Sequence, residues 1–230
     1  MPERPLIIFD LDGTLIASHL DLIPALNAAT ATVSLPPVPM EAVGHIVGQG
    51  AKAMLAKAFD YHATAIPGGM ADILFDKFLE HYEDHIADKT EFFPNCLEAL
   101  DELASDGFEL AICTNKLESL AKKLLHDLGE TERFAAIVGG DTYPVKKPNP
   151  AHMTNLAEGL GHKAEQCIMV GDSINDIAAA QAASIASIAV TFGYSDRPVA
   201  DLGADIMIDD FAQLVGAVNR LQTDDQLLDG

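Results

Sequence analysis

Short, uninterrupted runs of apolar residues recur along the chain, each bounded by Gly, Asp or Asn. Runs of this length are typical of strands that are buried on both faces of a sheet. They lie at residues 6–9, 110–113, 135–138, 168–170, 185–190 and 206–208. Helical periodicity separates most of them, as in the stripe formed by Leu117, Leu120, Leu124 and Leu128. Strands that alternate with helices predict parallel β–α units, and therefore an α/β fold.

Residues 17–88 interrupt this alternation, because they contain no clear strand run. Four stretches are helical in pattern, at residues 22–33, 41–47, 51–59 and 71–86. In the last stretch an aromatic and aliphatic stripe recurs at helical spacing, which we interpret as packing: Phe75, Phe78, Tyr82 and Ile86. A helical block placed just after the first strand predicts an inserted cap, residues 17–88. The catalytic core would then comprise residues 1–16 and 89–230.

Polar clusters follow the predicted strands, at the sheet edge where open α/β proteins bind ligands. The first cluster places Asp10 and Asp12 two residues apart, ahead of the turn at Gly13. The second begins with Thr114 and Asn115, which offer a hydroxyl and open backbone N–H groups to a phosphate oxygen. A helix cap is the plainer alternative for Thr114.

Two further clusters follow later strands. Residues 145–150 carry Lys146 and Lys147, in a chain that has only 14 Lys and Arg residues among 230. Residues 170–176 place Asp172 and Asp176 four residues apart at a strand-to-helix turn. Asp172 could alternatively cap that helix. Together the clusters predict a site that combines carboxylates with scarce basic residues.

The formal net charge of −21 limits the partners that the chain can bind. Polyanions are repelled, so duplex nucleic acid and anionic membranes are poor candidates. To bind an anionic ligand, the chain would need a metal ion or a lysine that makes the charge of the binding site locally positive. No apolar run approaches the ~20 residues of a membrane span. The three cysteines have no metal-like spacing, and we expect reduced thiols and a cytoplasmic protein.

In their order and strand context, the four clusters resemble the motifs of the haloacid dehalogenase superfamily. Within it, residues 139–148 and the loop at residues 47–50 are similar to phosphoglycolate phosphatases. The resemblance implies a Rossmann-like parallel sheet flanked by helices, with an inserted α-helical cap. It also implies a small phosphorylated metabolite as the substrate. The chain departs from the pattern at residues 17–19, where Ala-Ser-His replaces the common Asp-Ser and a small residue.

The resemblance also implies a role for each candidate residue. Asp10 is expected to attack phosphorus and form an aspartyl-phosphate, while Asp12 serves as the general acid and base. Mg²⁺ is expected to bind Asp10, Asp172 and the backbone carbonyl of Asp12, with Asp176 supporting the metal or Lys147 from outside that ligand set. The remaining roles are phosphate binding by Thr114, Asn115 and Lys147, and substrate contact from the cap loop by Gly48, Gln49 and Gly50.

Several functions share these motifs. We expect a Mg²⁺-dependent phosphatase that hydrolyses 2-phosphoglycolate to glycolate and phosphate. A phosphatase or mutase for another small phosphoester, such as a sugar phosphate, is the main alternative. A phosphonatase would need a Schiff-base lysine, for which Lys52 and Lys57 are candidates, although surface positions suit them better. A non-catalytic phosphate-binding regulatory module would not need Asp12. Monomer and homodimer both remain open.

Overall fold

A computed structural model describes residues 5–228. Within that range one parallel sheet has the strand order β3-β2-β1-β4-β5-β6. The strands are β1 Leu6–Phe9, β2 Glu109–Cys113, β3 Ala136–Val138, β4 Cys167–Gly171, β5 Ala186–Val190 and β6 Ile206–Ile208. The predicted α/β fold with a parallel sheet is therefore confirmed.

The register of the central strands determines where the polar clusters emerge. Phe9 in β1 pairs with Ile112 in β2 on one side and with Val170 in β4 on the other. The three strands therefore end at nearly the same level, and the residues that follow them reach one edge of the sheet. Backbone hydrogen bonds continue this pairing beyond the strands, since Asp10 N–H donates to the Val170 carbonyl at 3.0 Å.

Helices cover both faces of the sheet. They are α1 His19–Ala31, α2 Val43–Ile46, α3 Ala51–Tyr61, α4 Ala71–Asp84, α5 Cys96–Ser105, α6 Glu118–Asp127, α7 Ala151–Gly159, α8 Ile174–Ala182 and α9 Leu214–Leu228. Side chains alternate along β1, so Ile7 and Phe9 join the core beneath α5, α6 and α9, while Leu6 and Ile8 pack with α7 and α8. No helix in residues 5–228 is long and apolar enough to cross a membrane.

The helices α1 to α4 form a helical segment between β1 and α5, and no strand lies between residues 19 and 84. Helix α1 packs along α4. The predicted helices are present with shifted ends: the first begins at His19, and the second starts as a 3₁₀ turn, Met40–Ala42. The division into a core and a cap at residues 17–88 stays a prediction, and residues 1–4 and 229–230 lie outside the described range.

Asp21 joins the start of the helical segment to the chain that returns from it. Its Oδ2 accepts hydrogen bonds from Lys89 N–H at 2.9 Å, Thr90 N–H at 2.8 Å and the Thr90 hydroxyl at 2.8 Å. The side chain is buried, with 4 % of the residue surface exposed. Beside it, Ala17 N–H donates to the Glu91 carbonyl at 2.8 Å. The two connections between the sheet and the segment are therefore held together by hydrogen bonds.

Asp21→Ala is expected to lower the free energy of unfolding by about 3 kcal/mol, because three donors lose a charged, buried acceptor. Urea unfolding followed by circular dichroism measures this. Asp72→Ala is the matched control: its side chain is 89 % exposed and reaches only Lys52, at 3.6 Å. That control should change stability by less than about 0.5 kcal/mol. Equal losses in the two variants would contradict the role given to Asp21.

Candidate active site

The edge of the sheet brings residues of all four clusters together. Asp10 follows β1, Thr114 follows β2, and Asp172 follows β4. Lys147 comes from the loop after β3, and its ammonium reaches the same place. These four residues are buried, with between 2 and 6 % of their surface exposed. Asp10, Thr114 and Asp172 each directly follow an apolar strand whose end is set by the parallel register, whereas the longer loop after β3 brings Lys147 there.

Three carboxylates form an acidic cluster, Asp10, Asp172 and Asp176: one oxygen from each lies within 4.8 Å of the corresponding oxygens of the other two. Lys147 Nζ lies 2.8 Å from Asp10 Oδ1 and 2.6 Å from Asp176 Oδ1. The contact with Asp10 is an ion pair whose angles fall outside those of a hydrogen bond. One buried ammonium therefore offsets part of a concentrated negative charge.

Burial is the largest single influence on the pKa values of Asp10, Asp172 and Lys147. It raises the pKa of Asp10 to about 6, against the opposing effect of Lys147 and with a further rise from Asp176. Burial, followed by the charges of Asp176 and Asp10, raises the pKa of Asp172 well above its ordinary value. Burial lowers the pKa of Lys147, but the carboxylates of Asp10 and Asp176 outweigh it and raise that pKa, so the ammonium stays charged.

Fixed donors orient the two carboxylates after β4. Asp172 accepts a hydrogen bond from Tyr194 N–H at 2.6 Å and another from the Thr14 hydroxyl at 3.2 Å. Asp176 Oδ2 accepts from Ser173 N–H at 3.0 Å and from the Ser173 hydroxyl at 2.6 Å. Ser173, rather than Asp172, occupies the N-cap of α8. Asp172 is therefore not engaged in capping and faces the cluster.

Glycines allow the backbone to approach these carboxylates. A Cβ on Gly193 would lie 2.2 Å from Asp172 Cβ, and a Cβ on Gly171 would lie 2.4 Å from Asp176 Cβ. Both separations are far below van der Waals contact. Any side chain at either position would push a carboxylate out of the cluster, so glycine is required there by space.

The backbone at Lys147 is fixed by two buried side chains. Asn115 Nδ2 donates to the Lys147 carbonyl at 3.1 Å, and Lys147 N–H donates to His152 Nδ1 at 3.2 Å. The His152 Nε2–H then donates to the Gly139 carbonyl, at 3.0 Å. Burial lowers the pKa of His152 to about 4, so the ring is neutral and its Nδ1 accepts. Sequence analysis missed His152, because nothing in the sequence near it indicated a role.

The donor set of the acidic cluster suits a hard cation. All three ligand groups are carboxylate oxygens, the chemistry that Mg²⁺ and Ca²⁺ prefer in proteins. Buried like charges repel, and a cation between them would relieve both their repulsion and their desolvation. Asp10 and Asp172 were expected as ligands, whereas Asp176 was placed outside the ligand set. The structure puts all three within reach of one ion.

Asp12 is not one of the three carboxylates of this cluster and forms an ion pair with Lys116. Lys116 Nζ lies 3.0 and 3.1 Å from the two oxygens of Asp12, and it also donates to the Tyr82 hydroxyl at 2.8 Å. The Lys116 side chain is only 5 % exposed. Sequence analysis gave Lys116 no role. Basic residues are scarce in this chain, so a lysine close to a strand end was the feature of the sequence that could have indicated a role.

Tyr82 does more than the packing that its helical stripe suggested. Its ring stacks on Phe78 at a centroid distance of 5.7 Å, as a core residue would. Its hydroxyl, however, accepts the hydrogen bond from Lys116. Burial, followed by the charges of Asp12 and Asp21, raises the pKa of Tyr82 well above its ordinary value, so the hydroxyl stays protonated.

A cavity of about 180 Å³ lies between the sheet edge and the helical segment. This equals the volume of roughly six waters at about 30 Å³ each, and it is below the usual size of a drug pocket. Its polar lining includes Asp10, Asp12, Thr114 and Lys116, and its apolar lining includes Leu22, Met54, Phe75 and Phe78. The size and lining suit a small polar ligand that is enclosed on one side by apolar groups.

The loop at residues 48–50 contacts the sheet edge through its carbonyls. The Gly48 carbonyl accepts from Asn115 Nδ2 at 3.5 Å and from Asn175 Nδ2 at 3.3 Å. The Gln49 carbonyl accepts from Lys146 Nζ at 3.1 Å. Gly48 and Gly50 line the cavity. Lys146 therefore reaches this loop, whereas Lys147 reaches the carboxylates.

The two lysines weighed for a Schiff base differ in position. Lys52 lines the cavity, but its side chain is 71 % exposed and pairs with Asp72 at 3.6 Å. Lys57 is half-buried, and burial lowers its pKa, but it does not line the cavity. Neither is placed as a buried amine beside Asp10.

The departure from the family pattern at residues 17–19 is connected to the acidic cluster. His19 Nδ1 lies 2.8 Å from the Tyr194 hydroxyl, and the backbone N–H of Tyr194 donates to Asp172. The two rings meet edge to face at a centroid distance of 5.2 Å. His19 therefore packs on a residue that orients a carboxylate of the site, although it contacts no member of the cluster.

Comparisons with known proteins agree with this geometry. A model of the haloacid dehalogenase-like hydrolase family matches residues 7–190. The chain is 45 % identical to a phosphoglycolate phosphatase of Agrobacterium fabrum over 217 residues, 94 % of this chain and 93 % of that protein. A phosphoglycolate phosphatase of Caulobacter vibrioides is 37 % identical, over 94 % of this chain and 92 % of its own length.

Solved structures give the same result. The crystal structure of a predicted phosphoglycolate phosphatase from Haemophilus somnus 129PT superposes with a TM-score of 0.88 and 32 % sequence identity. The match covers 94 % of this chain and 99 % of that one. The similarity therefore extends over the sheet and the helical segment together.

Proposed function

This chain belongs to the haloacid dehalogenase-like hydrolase family, and we propose that it is a Mg²⁺-dependent phosphatase that hydrolyses 2-phosphoglycolate to glycolate and phosphate. The observation that carries the proposal is that Asp10 and Asp12 line the same cavity, while Asp10 also stands beside Lys147 and the carboxylates of Asp172 and Asp176. The relatives named phosphoglycolate phosphatase support the substrate.

In the first half of the proposed reaction, a carboxylate oxygen of Asp10 attacks phosphorus in line. The bond between phosphorus and the ester oxygen breaks as an aspartyl-phosphate forms. Asp12 gives its proton to the departing oxygen, which leaves as the hydroxyl of glycolate. Both residues line the cavity, which is the arrangement that such a transfer needs.

In the second half, Asp12 takes a proton from a water molecule that attacks the phosphorus of the aspartyl-phosphate. The bond between phosphorus and Asp10 breaks, inorganic phosphate leaves, and the Asp10 carboxylate is restored. Asp12 thereby regains the proton that it gave up. A binding module would need neither step, so a proton-transfer residue beside the nucleophile favours an enzyme.

Asp10 and Asp172 would hold the Mg²⁺ ion together with the backbone carbonyl of Asp12, and Asp176 lies close enough to join or support them. When bound, the ion neutralises charge between the phosphate and the carboxylates. Because the charged forms of buried carboxylates are favoured beside a cation, Asp10 would then be ionised and ready to attack. Without a cation, burial holds its pKa near 6.

Fixed groups around the phosphoryl group would provide most of the remaining stabilisation. Lys147 is the proposed charge donor, with its backbone fixed by Asn115 and His152. Thr114 lines the cavity at the end of β2 and offers a hydroxyl. Asn115 is proposed to contribute through its backbone N–H, since its side-chain amide is engaged by the Lys147 carbonyl.

The helical segment, proposed as a cap of residues 17–88, would enclose the substrate and exclude bulk water. Its loop at Gly48, Gln49 and Gly50 already meets the sheet edge through carbonyl contacts. A cavity of about 180 Å³ between this loop and the sheet edge is consistent with a small phosphoester such as 2-phosphoglycolate. We also propose a cytoplasmic enzyme, since Cys96, Cys113 and Cys167 are free thiols.

Substrate preference tests the proposed function directly. The value of kcat/KM for 2-phosphoglycolate is expected to exceed those for a hexose phosphate and a nucleoside monophosphate by at least about 100-fold, because the proposed cap would close over a small substrate more completely than over a large one. Phosphate release is measured at equal concentrations, with Mg²⁺ and with a chelator. A competitor that equals 2-phosphoglycolate would reject the substrate, and activity that survives chelation would reject the metal.

Asp10→Asn tests the covalent route. The amide keeps the shape of the side chain but is a poor nucleophile, so turnover should fall by at least about 10⁴-fold, as losses of nucleophiles do. The fold should persist in circular dichroism. Incubation of wild type with substrate and acid quenching should trap phosphate on Asp10, detected by mass spectrometry of the peptide. Steady-state turnover by a variant free of deamidation would rule the mechanism out.

Neighbouring lysines provide a matched pair for the phosphate contact. Lys147→Ala removes a buried charge and should lower kcat/KM by about 10²–10³-fold, as the loss of one fixed donor does. Lys146→Ala removes an exposed lysine that reaches only the Gln49 carbonyl, and its effect should stay within about 3-fold. Steady-state kinetics with 2-phosphoglycolate measure both. The reverse order would show that the other lysine holds the phosphate.

A further inference from the structure

The positive charges around the cavity differ in burial. Lys52, Lys116 and Lys146 line it. Lys52 is mostly exposed and pairs with Asp72, and Lys146 reaches the carbonyl of Gln49. Lys116 alone among these three is buried, with 5 % of its side chain exposed. Solvent therefore screens its charge least among the three. Asp12 pairs with it at 3.0 Å, and that pairing weakens when Asp12 carries the proton of the proposed mechanism, which leaves the ammonium available to another anion.

The chemistry of the proposed substrate requires a second cation. Lys147 already faces the carboxylates of Asp10 and Asp176 and is the proposed partner of the phosphate, so it is not available for a second anionic group. The phosphate would be neutralised by that lysine and by the bound cation. The carboxylate of 2-phosphoglycolate needs its own partner, since a buried anion without one is unfavourable by several kcal/mol.

Covalent geometry determines where that carboxylate must lie. The ester oxygen that takes the proton of Asp12 lies about 2.7 Å from it, the usual O–H···O distance. A carboxylate on the adjacent carbon reaches at most about 3.7 Å from the ester oxygen, from ordinary bond lengths. Lys116 Nζ lies 3.0 and 3.1 Å from the oxygens of Asp12. These lengths allow the carboxylate to reach the ammonium of Lys116 while the ester oxygen contacts Asp12.

Tyr82 provides a second donor at the same place. Its hydroxyl accepts the hydrogen bond from Lys116 at 2.8 Å, so its own proton can be given to another oxygen. The residue lines the cavity. It lies on α4 of the helical segment, whereas Lys116 follows β2. The two donors therefore approach the same position from opposite sides of the cavity.

We propose that Lys116 and Tyr82 form the subsite for the substrate carboxylate and set the specificity of the enzyme for phosphoesters that carry an anionic group on the adjacent carbon. The subsite rests on the proposed phosphatase function and adds to it the residues that recognise the organic part. The substrate contact expected from Gly48, Gln49 and Gly50 stays a prediction beside this subsite; the carbonyls of Gly48 and Gln49 accept from Asn175 and Lys146.

The test compares two substrates of similar size. Ethyl phosphate replaces the carboxylate of 2-phosphoglycolate by a methyl group. For each enzyme form the ratio of kcat/KM for 2-phosphoglycolate to that for ethyl phosphate is measured. Lys116→Met is expected to lower this ratio on the order of 100-fold, as the loss of one partner of a buried charge pair does. Tyr82→Phe should lower it about 10-fold, as the loss of one hydrogen bond does.

Controls separate recognition from positioning. Lys77→Met removes an exposed lysine on the same helix as Tyr82 and should leave the ratio unchanged. If Lys116 serves only to orient Asp12, then both substrates lose the same factor in Lys116→Met and the ratio stays constant, which would overturn the inference. Lys116→Arg keeps the charge and should retain more of the ratio than Lys116→Met.

The outcomes also distinguish the inference from the proposed function. A wild-type enzyme with no preference for 2-phosphoglycolate over ethyl phosphate would reject the proposed substrate and the subsite with it. A wild-type preference that persists in Lys116→Met would reject the subsite alone. Thermal unfolding checks that each variant is folded. Should Lys116→Met fail to fold, Lys116→Gln takes its place as the variant without the charge, and an unchanged ratio in both Tyr82→Phe and Lys116→Gln would still overturn the inference.

Discussion

The buried acidic cluster depends on the ion pairs that Lys147 forms with Asp10 and Asp176. Asp10, Asp172 and Asp176 are buried within a few ångströms of one another, an arrangement that is unfavourable for three ionised groups. Lys147 contacts two of them, at 2.8 and 2.6 Å, and supplies the buried positive charge that makes the cluster tolerable. Much of the surrounding structure serves to place that one ammonium.

Three groups of residues position Lys147 and the carboxylates around it. Asn115 and His152 fix the backbone of Lys147 by neutral hydrogen bonds, which add no charge to a crowded site. Ser173 holds Asp176 from the opposite side. Gly171 and Gly193 give the carboxylates room against the backbone. The hydrogen bonds orient the charged side chains, and the glycines leave space for them.

The sequence predicted best those features of the fold and the site that depend on residues adjacent in the chain. A short apolar run that ends in Asp10 or Asp172 indicates both a strand and the sheet edge beyond it. The ends of helices were predicted less exactly than the strands. Helix α1 begins at His19, ahead of the predicted start at residue 22, and its first turn contains the buried Asp21. Hydrogen bonds hold Asp21 there, and a pattern of hydrophobic residues does not reveal them. Lys116, Tyr82 and His152 were missed because their roles depend on partners brought near by the fold, as with Lys116 and Asp12, 104 positions apart.

The placement of the four clusters along the chain has a consequence for folding. Asp10 lies near the start, while Lys147 and Asp172 are synthesised only after the helical segment and two more strands. Because β1 pairs with both β2 and β4, the acidic cluster can assemble only after a strand more than 150 positions downstream has docked. Contacts of such long range form slowly. Until β4 arrives, Asp10 stands at an open strand edge and stays hydrated, so recovery of cation binding during refolding would report the docking of the sheet centre.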